Sequence, residues 1–146
     1  MATKQKWKVS KDPLYRGENS STPTIPTPQA NKSIVRHILY LEGQGRETPY
    51  LSTSESEDTA RRFAGRNGSI FRAIPKEWPK SEVKHRSRKE LLDLLKGKGK
   101  GDAAWSSAVE VLRAHQYVEE HAEHLADFSD IQPQDAGTTV NVIFKK

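Results

Sequence analysis

A guanidinium, a run of three hydroxyls and a carboxylate fall where extended stretches of this chain begin or end. They are Arg16 in "LYRG", Ser52-Thr53-Ser54 in "PYLSTS" and Glu123 in "HAEHLADF". A planar guanidinium binds phosphate or carboxylate oxygens through two parallel N–H bonds, a geometry that lysine does not offer. Gly17 beside it lets the backbone pass close to a ligand. A carboxylate on a strand edge needs a fixed rotamer, and a hydroxyl on a neighbouring strand can hold it. The hydroxyl run can also cap the next helix. Each residue has a plainer use as well: Arg16 as a surface ion-pair partner, Ser54 as a helix cap, Glu123 as a solvated strand residue.

Hydrophobic period and punctuation define the scaffold around these groups. Lys6 to Val9 can form a short edge strand, and Leu14-Tyr15-Arg16 is extended up to Gly17. Residues 18–32 carry Pro23, Pro26 and Pro28 and form a loop. "SIVRHILYLEG" has a helical apolar period with Ser33 as cap and Gly43 as stop. "PYLSTS" reads as a strand, and Ser54 with Glu57 forms a capping box for a helix that buries Ala60, Phe63 and Ala64 and ends at Gly65. "GSIFRAIP" alternates as a strand. Residues 75–86 read as a basic connector, "SRKELLDLLKG" as a helix and "GKGKGD" as a charged loop that lacks the spacing of a phosphate-binding loop. Next come a helix from Trp105 to Glu119, then "EHLADF" and "TTVNVIF" as two closing strands. Interleaved strands and helices with a β-rich end predict an α+β domain.

The 146 residues amount to one domain. Apolar residues make up 34% and charged residues 29%, and no run approaches the ~20 apolar residues of a membrane span. "MATKQKWKVSKD" has no apolar segment after its lysines, unlike a signal peptide. Cysteine is absent, which excludes disulfides and thiolate metal sites. The net charge of +5 favours anionic partners such as nucleic acid or nucleotide phosphates. His115, His121 and His124 lack a further ligand pattern, so no metal is expected. Trp7, Trp78 and Trp105 read as core or rim aromatics.

Taken in order, "YRG", "YLSTSESEDTARRFA" and a glutamate entering a strand that leads to "DIQPQDA" resemble the Arg-Ser-Glu class of mono-ADP-ribosyltransferases. Within it the likeness is to pierisin-like enzymes and to the transferase modules that end bacterial polymorphic toxins, over most of residues 13–144. The resemblance implies a single ADP-ribosyltransferase domain over 1–146, with 1–12 as edge segment or tail and 18–32 as a Pro/Ser/Thr-rich loop. Its fold would be α+β, a mixed-sheet core of two packed sheets with flanking short helices. NAD would be the substrate, with no metal. Arg16, Ser52, Glu123 and His121 would be catalytic. Tyr15, Arg16, Gly17, Ser52, Thr53, Ser54 and His37 would contact the dinucleotide, and Tyr50, Phe63 or Phe71 would line the nicotinamide pocket. Glu123 would stabilise the oxocarbenium-like charge that builds as the nicotinamide–ribose bond breaks. Ser52 would hold that carboxylate, and Arg16 would bind the pyrophosphate.

"VEEHAEH" also offers Glu119 and Glu120. Glu123 is preferred because "EHLADFSDIQPQDA" most resembles the strand and turn that lead away from the catalytic glutamate in that class, with Glu120 second. His121 and Glu120 would face the acceptor. Enzymes of the class carry glutamate two residues before the catalytic one for arginine targets and glutamine for several others; His121 departs from both. The basic "KEWPKSEVKHRSRK" and "KGKGKG" suit a nucleic-acid acceptor such as ribosomal RNA. A protein acceptor such as a translation factor, an NAD glycohydrolase, and an RNA-binding domain without NAD chemistry are the alternatives. The likeness further implies a toxin acting in the cytoplasm of a target cell, delivered at the C-terminal end of a larger secreted protein and matched by an immunity partner.

Overall fold

The central strands are buried on both faces, and that decides the architecture. The computed structural model describes residues 7–8, 11–30, 32–40, 47–104 and 107–146. Five strands, β1 (Leu14–Glu18), β2 (Tyr50–Ser54), β3 (Ser69–Ala73), β4 (Lys84–Arg86) and β5 (Glu123–Asp127), form one sheet in the order β3-β1-β2-β5-β4. Every pairing is antiparallel. Five helices accompany it: α1 (Ile34–Tyr40), α2 (Glu57–Ala64), α3 (Arg88–Leu94), α4 (Ala108–His121) and α5 (Ala136–Ile143).

Alternation sends successive residues of β2 and β5 to opposite faces. Tyr50 and Leu125 join Ile34, Val35, Leu91, Val111 and Val118 from α1, α3 and α4 in one core. Leu51 and Ala126 join Leu14, Phe71, Trp78, Val140 and Ile143 in the other, which α5 covers. Helices therefore lie on both faces of one antiparallel sheet among the described residues. The α+β class holds. The two packed sheets and mixed pairing that the resemblance implied are not found among them: the described strands form one antiparallel sheet, and "TTVNVIF", expected as a closing strand, lies in α5.

"AGTTVNVIF" is rich in β-branched residues, which favoured a strand. Its buried residues are Ala136, Thr139, Val140 and Ile143, a 3.6-residue period. Periodicity outweighed propensity. Residues 75–86 are likewise more than a connector, holding a 3₁₀ turn at Pro75–Glu77 and edge strand β4. Arg86 ties that strand to β5 by donating to buried Asp127 at 3.0 Å.

Serines open α1 to α4. Ser33, Ser56, Ser87 and Ser107 accept from the main-chain N–H groups of Arg36, Thr59, Glu90 and Glu110. The expected capping box at Ser54 and Glu57 is therefore replaced by a cap two residues later. Ser54 is buried and spends its hydroxyl elsewhere. Gly17 has a packing duty: a Cβ there would lie 1.8 Å from the Ala60 carbonyl oxygen, so α2 can approach β1 only over glycine. Residues 7 and 8 are not in a strand, and Gly43 and Trp105 lie outside the described residues. No helix among the described residues is long and apolar enough to cross a membrane.

Candidate active site

The β2–β5 register opposes Ser52 to Leu125 and Ser54 to Glu123, which leaves Ser52 and Glu123 diagonal neighbours on one face. Ser52 Oγ donates to Glu123 Oε2 at 2.8 Å. Helix α1 brings His37 onto the same hydroxyl, with Nε2 2.7 Å from Ser52 Oγ and Nδ1 2.9 Å from Thr48 Oγ1. Burial, and then the charge of Arg16, push the His37 pKa down from 6.5 to about 3. The ring is therefore neutral. Because the Ser52 proton goes to the carboxylate, Ser52 Oγ accepts from His37 Nε2–H, and Nδ1 accepts from the Thr48 hydroxyl. Thr48 Oγ1 in turn accepts from the Tyr50 N–H at 3.1 Å. Every link runs in one direction, towards Glu123. Glu123 is only 2% exposed.

Strands β1 and β2 register at a single pair, Tyr15 with Ser54. Beyond it a side chain replaces the ladder: Arg16 Nη1 donates to the Ser52 carbonyl at 2.8 Å and Nε donates to Glu18 Oε2 at 2.7 Å. Glu18 also accepts from Thr24 N at 2.7 Å and from Thr24 Oγ1 at 2.8 Å. The proline-rich loop is thus fastened to the residue that orients the guanidinium. Nη2 keeps its donors without a partner among the described residues. With its charge offset by Glu18, Arg16 offers directed N–H groups more than net charge.

These groups line one cleft of about 590 Å3 together with Tyr15, Gly17, Thr53, Ser54 and His121. The Thr53 hydroxyl is committed to the His124 carbonyl, and the Ser54 hydroxyl to the His121 carbonyl at 2.6 Å. Both brace the walls. His121 ends α4. Its Nδ1 donates to the Tyr117 carbonyl at 3.1 Å, which leaves the Nε2 lone pair without a partner among the described residues. Tyr117 and Phe63 flank the ring at 4.1 and 5.4 Å between centroids. Phe63 was expected in the core, but it is 44% exposed and stands at the cleft, while α2 buries Thr59, Ala60 and Ala64. Tyr50 lines the cleft as well, whereas Phe71 belongs to the core on the other face. The turn from α4 to Glu123 passes through Ala122 in the left-handed region, at φ 48°.

Glu119 and Glu120 are exposed on α4 and do not line the cleft. Sequence reasoning missed Glu18, Thr24, Thr48 and Tyr117. Glu18 was legible, since a period of two puts it on the face of Arg16 had the strand been continued past Gly17. Thr24 and Thr48 act through long-range bonds that no local pattern announces.

On the other face, His85 Nε2 donates to His124 Nδ1 at 2.8 Å, and His124 Nε2 donates to Glu55 at 2.7 Å. The rings are parallel within 2° at 5.0 Å between centroids. That spacing, with nitrogens 2.8 Å apart, makes them edge to edge rather than face to face. Burial lowers both pKa values, that of His85 to about 4. No cluster of three or more potential metal ligands occurs among the described residues.

Comparison of the chain with family models, with curated proteins and with solved structures returned no match.

Proposed function

We propose that this protein is a mono-ADP-ribosyltransferase that cleaves NAD at the nicotinamide–ribose bond and transfers ADP-ribose to a macromolecule. The observation that carries the reading is the Ser52–Glu123 hydrogen bond within the cleft that also contains Arg16. Nicotinamide leaves neutral with the bonding electron pair, and positive charge builds on the ribose. A buried, pre-oriented carboxylate stabilises that charge without reorganising at the moment of reaction. The unpaired edge of Arg16 suits the pyrophosphate, and Phe63 and Tyr117 offer aromatic surface to a ring. The acceptor's nucleophile bonds to the anomeric carbon and gives up a proton, for which His121 Nε2 is the available base.

The test uses NAD labelled on the adenylate phosphate, incubated with the protein and a bacterial lysate. Label retained on a macromolecule is the expected result. Free ADP-ribose alone would favour the glycohydrolase, and no NAD consumption would overturn both. Glu123→Gln preserves size and the bond from Ser52 but removes the charge. It should lower turnover by about 10²-fold or more with the fold unchanged by circular dichroism. A folded, fully active variant would refute the role of Glu123.

A further inference from the structure

A second cleft, of about 540 Å3, opens beside the β4 edge, and the proposed transfer makes no use of it. The basic segment between β3 and α3 builds it. Pro75, Trp78 and Val83 give apolar walls, while Lys76, Lys80, Lys84 and Arg86 bring cations. Two of these cations are committed: Lys84 to Asp130 at 2.7 Å, and Arg86 to Asp127 and Glu90. Lys76 and Lys80 are exposed and have no carboxylate partner among the described residues. Trp78 is 4% exposed, and its indole Nε1 is buried without a hydrogen-bond partner among the described residues.

We propose that this cleft binds a single-stranded segment of nucleic acid and so docks the acceptor. The binding rests on the cleft alone; its role in docking an acceptor rests on the transferase reading above. Unpaired ammonium groups attract phosphates and release their counterions, so they bind a polyanion whatever its sequence. The apolar wall receives a base face, and an unpartnered indole N–H suits the acceptor atoms that bases and phosphates both carry. An acidic peptide fits less well. It offers carboxylates to the same lysines but no base ring to the apolar wall, and a three-residue edge strand gives its backbone little to pair with. The site also lies close to the chemistry through the sheet: Arg86 registers with Leu125, two residues from Glu123.

Fluorescence anisotropy with a short labelled oligouridylate, across a salt series, tests this on the full chain. The wild-type protein should bind with a steep salt dependence. Lys76→Ala with Lys80→Ala removes two phosphate contacts, so the log–log slope should flatten by roughly 1.4. NAD consumption by that variant should be unchanged, since neither lysine lines the dinucleotide cleft. Trp78→Phe keeps an aromatic ring and removes the N–H, and should weaken binding by about 2- to 10-fold at an unchanged slope. If Trp78→Phe fails to fold, the two exposed lysines decide. A double variant with the wild-type slope overturns the proposal, as does tighter binding of a poly-glutamate peptide than of the oligonucleotide. Intact oligonucleotide binding without NAD turnover leaves the binding site standing and removes the transferase reading together with the docking role.

Discussion

Ser52 is the last donor in a directed series of hydrogen bonds that ends on Glu123, and its removal separates two effects. Ser52→Ala strands the His37 Nε2–H and takes one donor from Glu123. A buried unpaired donor costs about 1–3 kcal/mol, so the variant should be measurably less stable. The variant also removes the hydroxyl that positions the carboxylate. If Glu123 acts on charge that exists only in the transition state, kcat should fall about 10-fold or more while KM for NAD changes little. Arg16→Lys should do the reverse, raising KM by losing paired N–H geometry. Steady-state NAD consumption distinguishes the two, and matched effects from both variants would contradict this division of labour.

Among the elements, entry into α2 shows how closely placed serines divide their work. Ser56 is the cap, while Ser54 joins the α4 carbonyl terminus to β2 and accepts from the Ser56 N–H at 3.0 Å. Ser56→Ala should cost roughly 1 kcal/mol in urea denaturation, the usual value of a lost N-cap, and leave NAD kinetics alone. Equal loss from Glu57→Ala would restore the capping-box reading. The helices α1 to α4 and strands β2, β3 and β5 were legible in the sequence because their apolar periods are long or cleanly bounded. The positions of Arg16, Ser52, His37, Gly17 and His121 in the cleft were anticipated as well. Two elements were not legible. α5 was hidden by the β-branched residues Thr138, Thr139, Val140, Val142 and Ile143, and β4 is too short and too charged to show a period of two. Phe63 misled for a related reason: its spacing from Ala60 marks the helix face, but only packing against β1 decides how much of that face is covered.

For the molecule as a whole, three neutral imidazoles inside the fold set its response to acid. The unfolded chain takes up protons on His37, His85 and His124 as pH falls below about 6.5, their ordinary value. The folded chain holds His85 neutral to about 4 and His37 to about 3. Between those limits the unfolded state binds more protons, so stability is full above about 6.5 and declines as pH falls through the window. The urea midpoint should begin to drop below about 6.5, before ordinary carboxylates titrate, and a flat midpoint between there and about 5 would show that the imidazoles are not buried as described. The seam between β1 and β2 has a consequence of another kind. With one registered pair and one guanidinium spanning it, the sheet is spliced there by the same side chain that faces the cleft. An anion held by the remaining N–H edge of Arg16 would therefore share the side chain that bridges these two strands, so ligand binding and local sheet integrity depend on the same guanidinium.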